Sequence, residues 1–92
     1  MKTGVELIAE ERQEQIEKHK WDIEHDACYH NEELITAALF CIDPWRFEWP
    51  WGWIENFRTK IRYKNRIDQL KIAGALIAAE IDRLQYHQDG LE

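Results

Sequence analysis

From Arg66 to Tyr86 the chain carries apolar residues at a spacing that suits a helix and little else. Ile67, Leu70, Ala73, Gly74, Ile77, Ile81 and Leu84 recur every three or four residues, and no proline interrupts them. That period follows the turn of an α-helix, not the strict alternation of a half-buried strand. The segment therefore reads as one long helix with a wide apolar stripe that has to be covered. Small residues at Ala73, Gly74 and Ala78 would let a second helix approach closely. Glu80 lies on the margin of the stripe, while Asp68 and Asp82 point away from its centre.

The rest of the chain supplies helical partners. From about Gly4 to Lys20, the residues Val5, Ile8, Ala9 and Ile16 repeat at helical spacing among good helix formers. Thr3 and Glu6 are placed as a capping box for its start. Arg12 and His19 fall on the same stripe, with Glu11 and Gln15 at its edge. The stretch Trp21 to Asp26 breaks the pattern, because Asp22 and Asp26 can bond nearby backbone amides. A second helix is expected from about Ala27 or Asn31 to Ile42. Leu34, Ala37, Ala38 and Cys41 form its stripe, His30 and Glu33 flank it, and Asp43-Pro44 stops it. Trp45 to Asn65 is an irregular connection punctuated by Pro50 and Gly52, in which part of Ile54 to Tyr63 can turn helical through Phe57 and Ile61. The expected fold class is all-α: three main helices in a compact bundle, with a Trp-rich irregular connection between helices 2 and 3. Residues 1–90 are expected to form a single helical domain. Leu91-Glu92 reads as a vector-derived junction ahead of a purification tag.

Composition limits what such a bundle can do. A chain of 92 residues has a thin core. Five Trp, three Tyr and three Phe supply large area per residue. A thin core also favours self-association, and a dimer is expected. Twelve basic residues against eighteen acidic ones give a net charge of −6, which argues against nonspecific nucleic-acid binding. The basic stretch with Arg58, Lys60, Arg62, Lys64 and Arg66 reads as a solvated surface. Cys28 and Cys41 make no disulfide framework, and Cys41 sits on an apolar face as a small hydrophobe. With neither a signal peptide nor a membrane-spanning run in view, the expected location is the cytoplasm.

Charges beside the apolar stripes mark the candidate site. Burying a charge is costly unless it is paired or meets a ligand. Glu11, Arg12, Gln15, Trp21, His25, Asp26, Glu33, Glu80 and Arg83 are the candidate polar cluster. If Glu11, Glu33 and Glu80 converge, they form an oxygen-rich set suited to Mg²⁺. The alternative is that Glu33 or Glu80 pairs with Arg12 or Arg83, the ordinary answer to a charge at a core margin. Trp45, Trp49, Trp51 and Trp53 form an aromatic cluster. It could stack a base or sugar, present an apolar patch to a partner, or fold back as a lid on the core. Serine is absent from the chain, and acidic neighbours raise the pKa of a thiol such as Cys28, so no nucleophile stands out.

Glu11-Arg12-x-x-Gln15, Trp21, His25-Asp26, Glu33-Leu34, Trp49-Pro50-Trp51, Asp68-x-Leu70, Ala73-Gly74-Ala75-Leu76-Ile77 and Ala79-Glu80-Ile81-x-Arg83-Leu84 together resemble a group of small helical proteins encoded by tailed phages and prophages. The resemblance implies a phage or prophage origin and a cytoplasmic setting, and it names no reaction. Lys20 and Glu32 stand where that group's pattern has glycine, and Tyr29 stands where it has histidine. Glu11-x-x-Glu14 and Glu14-x-x-Glu17 resemble, more weakly, the first carboxylate pair of the all-α nucleoside triphosphate pyrophosphohydrolases. The second pair of those enzymes, Glu-x-x-Asp, is not matched; Glu80-x-Asp82 places its carboxylates on different faces. The expected function is that of a small phage-type accessory protein that binds a partner or small ligand, a nucleotide among them, through the polar cluster. A Mg²⁺-dependent nucleotide pyrophosphohydrolase is the alternative.

Overall fold

The computed structural model describes residues 1–19, 33–53 and 55–90. Four helices account for most of them: α1 (Gly4–His19), α2 (Glu33–Ile42), α3 (Glu55–Arg62) and α4 (Arg66–Gly90). No strand occurs among the described residues. The all-α class is thus as expected, with one more helix than the expected three. The extra element is α3, where Phe57 and Ile61 give a single inward edge to an otherwise charged segment.

Local chemistry sets the helix ends. The Thr3 backbone amide donates to Glu6 Oε1 at 2.8 Å, and the Glu6 amide donates to Thr3 Oγ1 at 3.2 Å. This is the expected capping box, and the Thr3 bonds hold the Glu6 carboxyl below its ordinary pKa. Asn65 caps α4 by accepting from the Asp68 amide at 2.9 Å, while Asp68 Oδ2 accepts from Asn65 Nδ2 at 3.0 Å. After α2, the amides of Arg46 and Phe47 donate to the Asp43 carbonyl, turning the chain at Pro44. A second turn closes from the Trp53 amide to the Pro50 carbonyl at 3.2 Å. Gly52 sits at its third position with φ of 87°, a conformation that excludes most side chains. The turn leaves Trp51 at its corner.

α4 is the spine, and α2 and α1 both pack on it. Leu34, Ala37, Ala38, Phe40 and Cys41 of α2 meet Ala73, Leu76 and Ala79 of α4 in one core, joined by Trp49 and Ile61. Phe40 meets Trp49 edge-on at 5.4 Å, and Trp49 meets Trp53 edge-on at 5.3 Å. The four tryptophans therefore do not act as one cluster. Trp49 and Trp53 face inward, whereas Trp51 is 97% and Trp45 68% exposed. Trp45 instead lies under the Arg62 guanidinium, 4.5 Å from its ring centre, and beside Tyr63.

The face that α4 buries corrects the sequence expectation. Ile67, Leu70, Ile77, Ile81 and Leu84, expected to form the core stripe, are all exposed. The buried face carries Gln69, Ala73, Leu76, Ala79, Glu80 and Arg83 instead. α4 has two apolar faces, and the one with alanines lets α2 come close. Hydrophobic size marks both faces and does not say which is inner. Gly74, expected to admit a separate helix, is filled from within the chain. A Cβ placed there would lie 2.6 Å from Ile8 Cδ1. Ile8 beside Gly74 and Arg12 beside Asp82 seat α1 against α4.

Candidate functional site

The described residues among those expected to form one polar cluster fall in three places. The first is the inner face of α4, where Arg83 grips Glu80 through two bonds of 2.6 and 3.0 Å. Both are buried, and the two-pronged geometry satisfies the carboxylate. Beside them Arg12, 8% exposed, reaches Asp82 at 3.4 Å. Burial of Arg12 follows from its place on the α1 stripe. One carboxylate it reaches is Asp82, which the sequence reading had pointed away from the centre; Glu80 is held by Arg83. The second place is the N-terminus of α2. There Glu33 and Thr36 line a shallow depression with Pro50 and Trp51. Trp21, His25 and Asp26 lie outside the described residues, as do Cys28 and His30.

The third place is a cavity of about 170 Å³ between α1, α3 and α4. Glu11, Glu14 and Gln15 form its α1 wall. Lys60 and Lys64 form the opposing wall, and Phe57, Ile61 and Ile72 are its apolar lining. Helix geometry explains the grouping. Glu11, Glu14 and Gln15 are three and four apart on α1, so they share a face; Phe57, Lys60, Ile61 and Lys64 do the same on and just after α3. The cavity is thus bipolar: acid and amide on one side, ammonium groups on the other.

Burial gives this cavity its electrostatic character. Gln15 is 1% exposed, deeper than the half-buried Ile16 beside it. Its Nε2 donates to Glu11 Oε2 at a long 3.4 Å. Its Oε1 has no hydrogen-bond partner among the described residues. An acceptor left so is uncommon and unfavourable. Glu11 is half-buried, and desolvation holds its carboxyl above the ordinary pKa of 4.5. Glu14 pushes the same way; the Gln15 bond, Lys71 and Lys64 oppose it. Cys41 lies in the core, where burial pushes its thiol up to about 12 and rules out a reactive thiolate at neutral pH.

Among the described residues no three of His, Cys, Asp and Glu are grouped so as to hold a metal ion. No described helix is long and apolar enough to cross a membrane. Sequence reasoning found Glu11 and Gln15 and read the stretch with Lys60 and Lys64 as a solvated surface; both lysines are exposed, and they stand at the edge of the cavity. The signal for them was their four-residue spacing next to Phe57 and Ile61, which puts charge at the rim of the α3 face that turns inward. No protein-family model, curated protein or solved structure matches the chain.

Proposed function

We propose that the chain is a small ligand-binding protein and that the bipolar cavity between α1 and α3 is its site. The observation that carries this reading is the buried Gln15 amide with its unsatisfied oxygen, set in a wall with a half-buried carboxylate. Such a pair accepts hydrogen bonds from an amino group. The lysines opposite attract an anion as point charges, and Phe57 offers an aromatic surface between them. A ligand suited to all three has a flat, amino-bearing ring and a phosphate, as a nucleoside monophosphate does. The cavity admits the ring, and the phosphate would sit towards Lys60 and Lys64 at the mouth.

The alternative, a Mg²⁺-dependent nucleotide pyrophosphohydrolase, draws on Glu11 and Glu14 lining the same cavity. Two carboxylates facing two lysines fall short of the carboxylate set of those enzymes, so no catalytic step is assigned to them. Calorimetric titration with adenosine and cytidine monophosphates separates the readings. A binding protein takes up the nucleotide without Mg²⁺ and loses it on Lys60→Ala with Lys64→Ala. A pyrophosphohydrolase binds only with Mg²⁺ and cleaves nucleoside triphosphates. Absence of any heat with or without Mg²⁺ would remove both.

A further inference from the structure

Two carboxylates stand on the α1 wall of the bipolar cavity, and their surroundings differ. Glu14 is exposed and holds the exposed Lys18 at 3.3 Å. Glu11 is half-buried, and the buried Gln15 amide donates to its Oε2. A hydrogen bond discriminates between ligands best where water does not compete for the same group. Glu11 is therefore the carboxylate that can read the edge of a bound ring. The Gln15 bond steadies one of its oxygens and occupies one of roughly four acceptor sites on the group. With the Gln15 Nε2 turned to Glu11, and the Gln15 Oε1 without a partner among the described residues, this wall is rich in acceptors.

An ionised carboxylate is matched by two parallel N–H donors. Among the amino-bearing bases, only guanine sets two donors side by side, the ring N1–H and the N2 amino group. Adenine and cytosine each place a ring-nitrogen acceptor beside the amino group, so one carboxylate oxygen would face a lone pair. Such bases keep one bond to Glu11 and lose the second. The lysines lie across the cavity from Glu11, as the phosphate of a nucleotide lies at the far end from the edge of its base.

We propose that Glu11, positioned by Gln15, makes the cavity selective for a guanine nucleotide, its carboxylate accepting from N1–H and the N2 amino group while Lys60 and Lys64 take the phosphate. The selectivity rests on the nucleotide-binding reading of the cavity, and the test separates the two. Guanosine, inosine and adenosine monophosphates are titrated calorimetrically at about pH 8, well above the carboxylate range. Inosine monophosphate lacks only the N2 amino group of the guanine nucleotide. Wild-type protein should bind guanosine monophosphate about tenfold or more tighter than either of the others. Glu11→Gln puts a donor beside an acceptor, a pattern that all three rings can meet. It should bring the three affinities within about threefold of one another, with helical content unchanged. A purely structural role for Glu11 would weaken all three alike and leave the ranking intact. Equal affinities or an adenine preference in the wild type, or a guanine preference that survives Glu11→Gln, would overturn the proposal while leaving the cavity a nucleotide site. No binding of any of the three would remove the nucleotide reading, and the guanine selectivity with it.

Discussion

At the scale of single residues, stability and binding pull in opposite directions at Gln15. Its buried oxygen carries a desolvation cost with no compensating bond. Gln15→Leu should raise stability by about 1 kcal/mol in urea denaturation while eliminating nucleotide binding. Lower stability would mean that the amide is integral to the core. Glu11 shows the same tension through pH. Its folded-state pKa is raised, so the folded state holds the proton more tightly than the unfolded state does. Its favourable contribution is complete below the ordinary pKa of 4.5 and is lost as pH rises through the elevated value. Glu11→Gln should therefore be more stable than the wild type at neutral pH, with the difference vanishing as pH falls below 4.5. A gap that widens in acid would contradict this. The Glu80–Arg83 pair is the opposite case, since removing either partner strands the other. Arg83→Ala or Glu80→Ala should each cost about 3–5 kcal/mol, and the double variant should cost well under their sum in a double-mutant cycle.

At the scale of helices, the boundaries were readable from capping and breaking residues, and the inward faces only in part. Thr3 with Glu6 and Asp43-Pro44 marked ends that the structure reproduces. The α2 stripe of Leu34, Ala37, Ala38 and Cys41 is buried as expected. α4 misled because large aliphatics outweigh alanine on any hydrophobic scale. The choice between its faces is made by how closely α2 can approach, a tertiary fact. Gly74 gives a direct test of the α1–α4 contact. Gly74→Ala improves helix propensity by about 1 kcal/mol but drives a methyl into Ile8. The net result should be a loss of about 1–2 kcal/mol, reversed to a gain by Ile8→Ala in the same chain. If Gly74→Ala alone stabilises, α1 does not sit there.

At the scale of the whole molecule, a short chain completes its core by recruiting aromatic loop residues. Trp49 is 8% exposed and bridges Phe40 to Trp53, while Trp51 two residues on is almost wholly exposed. Trp49→Ala should destabilise by about 3–5 kcal/mol, and Trp51→Ala by less than about 0.5 kcal/mol. Equal losses would mean that the tryptophans act as one lid. The sequence showed that the tryptophans mattered, but the split between them follows from the turn at Gly52, whose geometry sends alternate rings in and out. The cavity was less legible still. Its walls come from segments about fifty residues apart, and its lysines are exposed, as their stretch read, so nothing in the sequence tied them to Gln15. Only the folded arrangement that lets α1, α3 and α4 line one cavity joins Gln15 to Lys60 and Lys64.

The most direct test is a two-dimensional NMR titration of the folded protein with adenosine monophosphate. The bipolar cavity predicts shifts of the Gln15 side-chain amide and of the Glu11, Phe57, Lys60 and Lys64 signals together, absent in Gln15→Leu. Shifts gathered instead around Trp51 and Thr36, or no shifts at millimolar nucleotide, would contradict it.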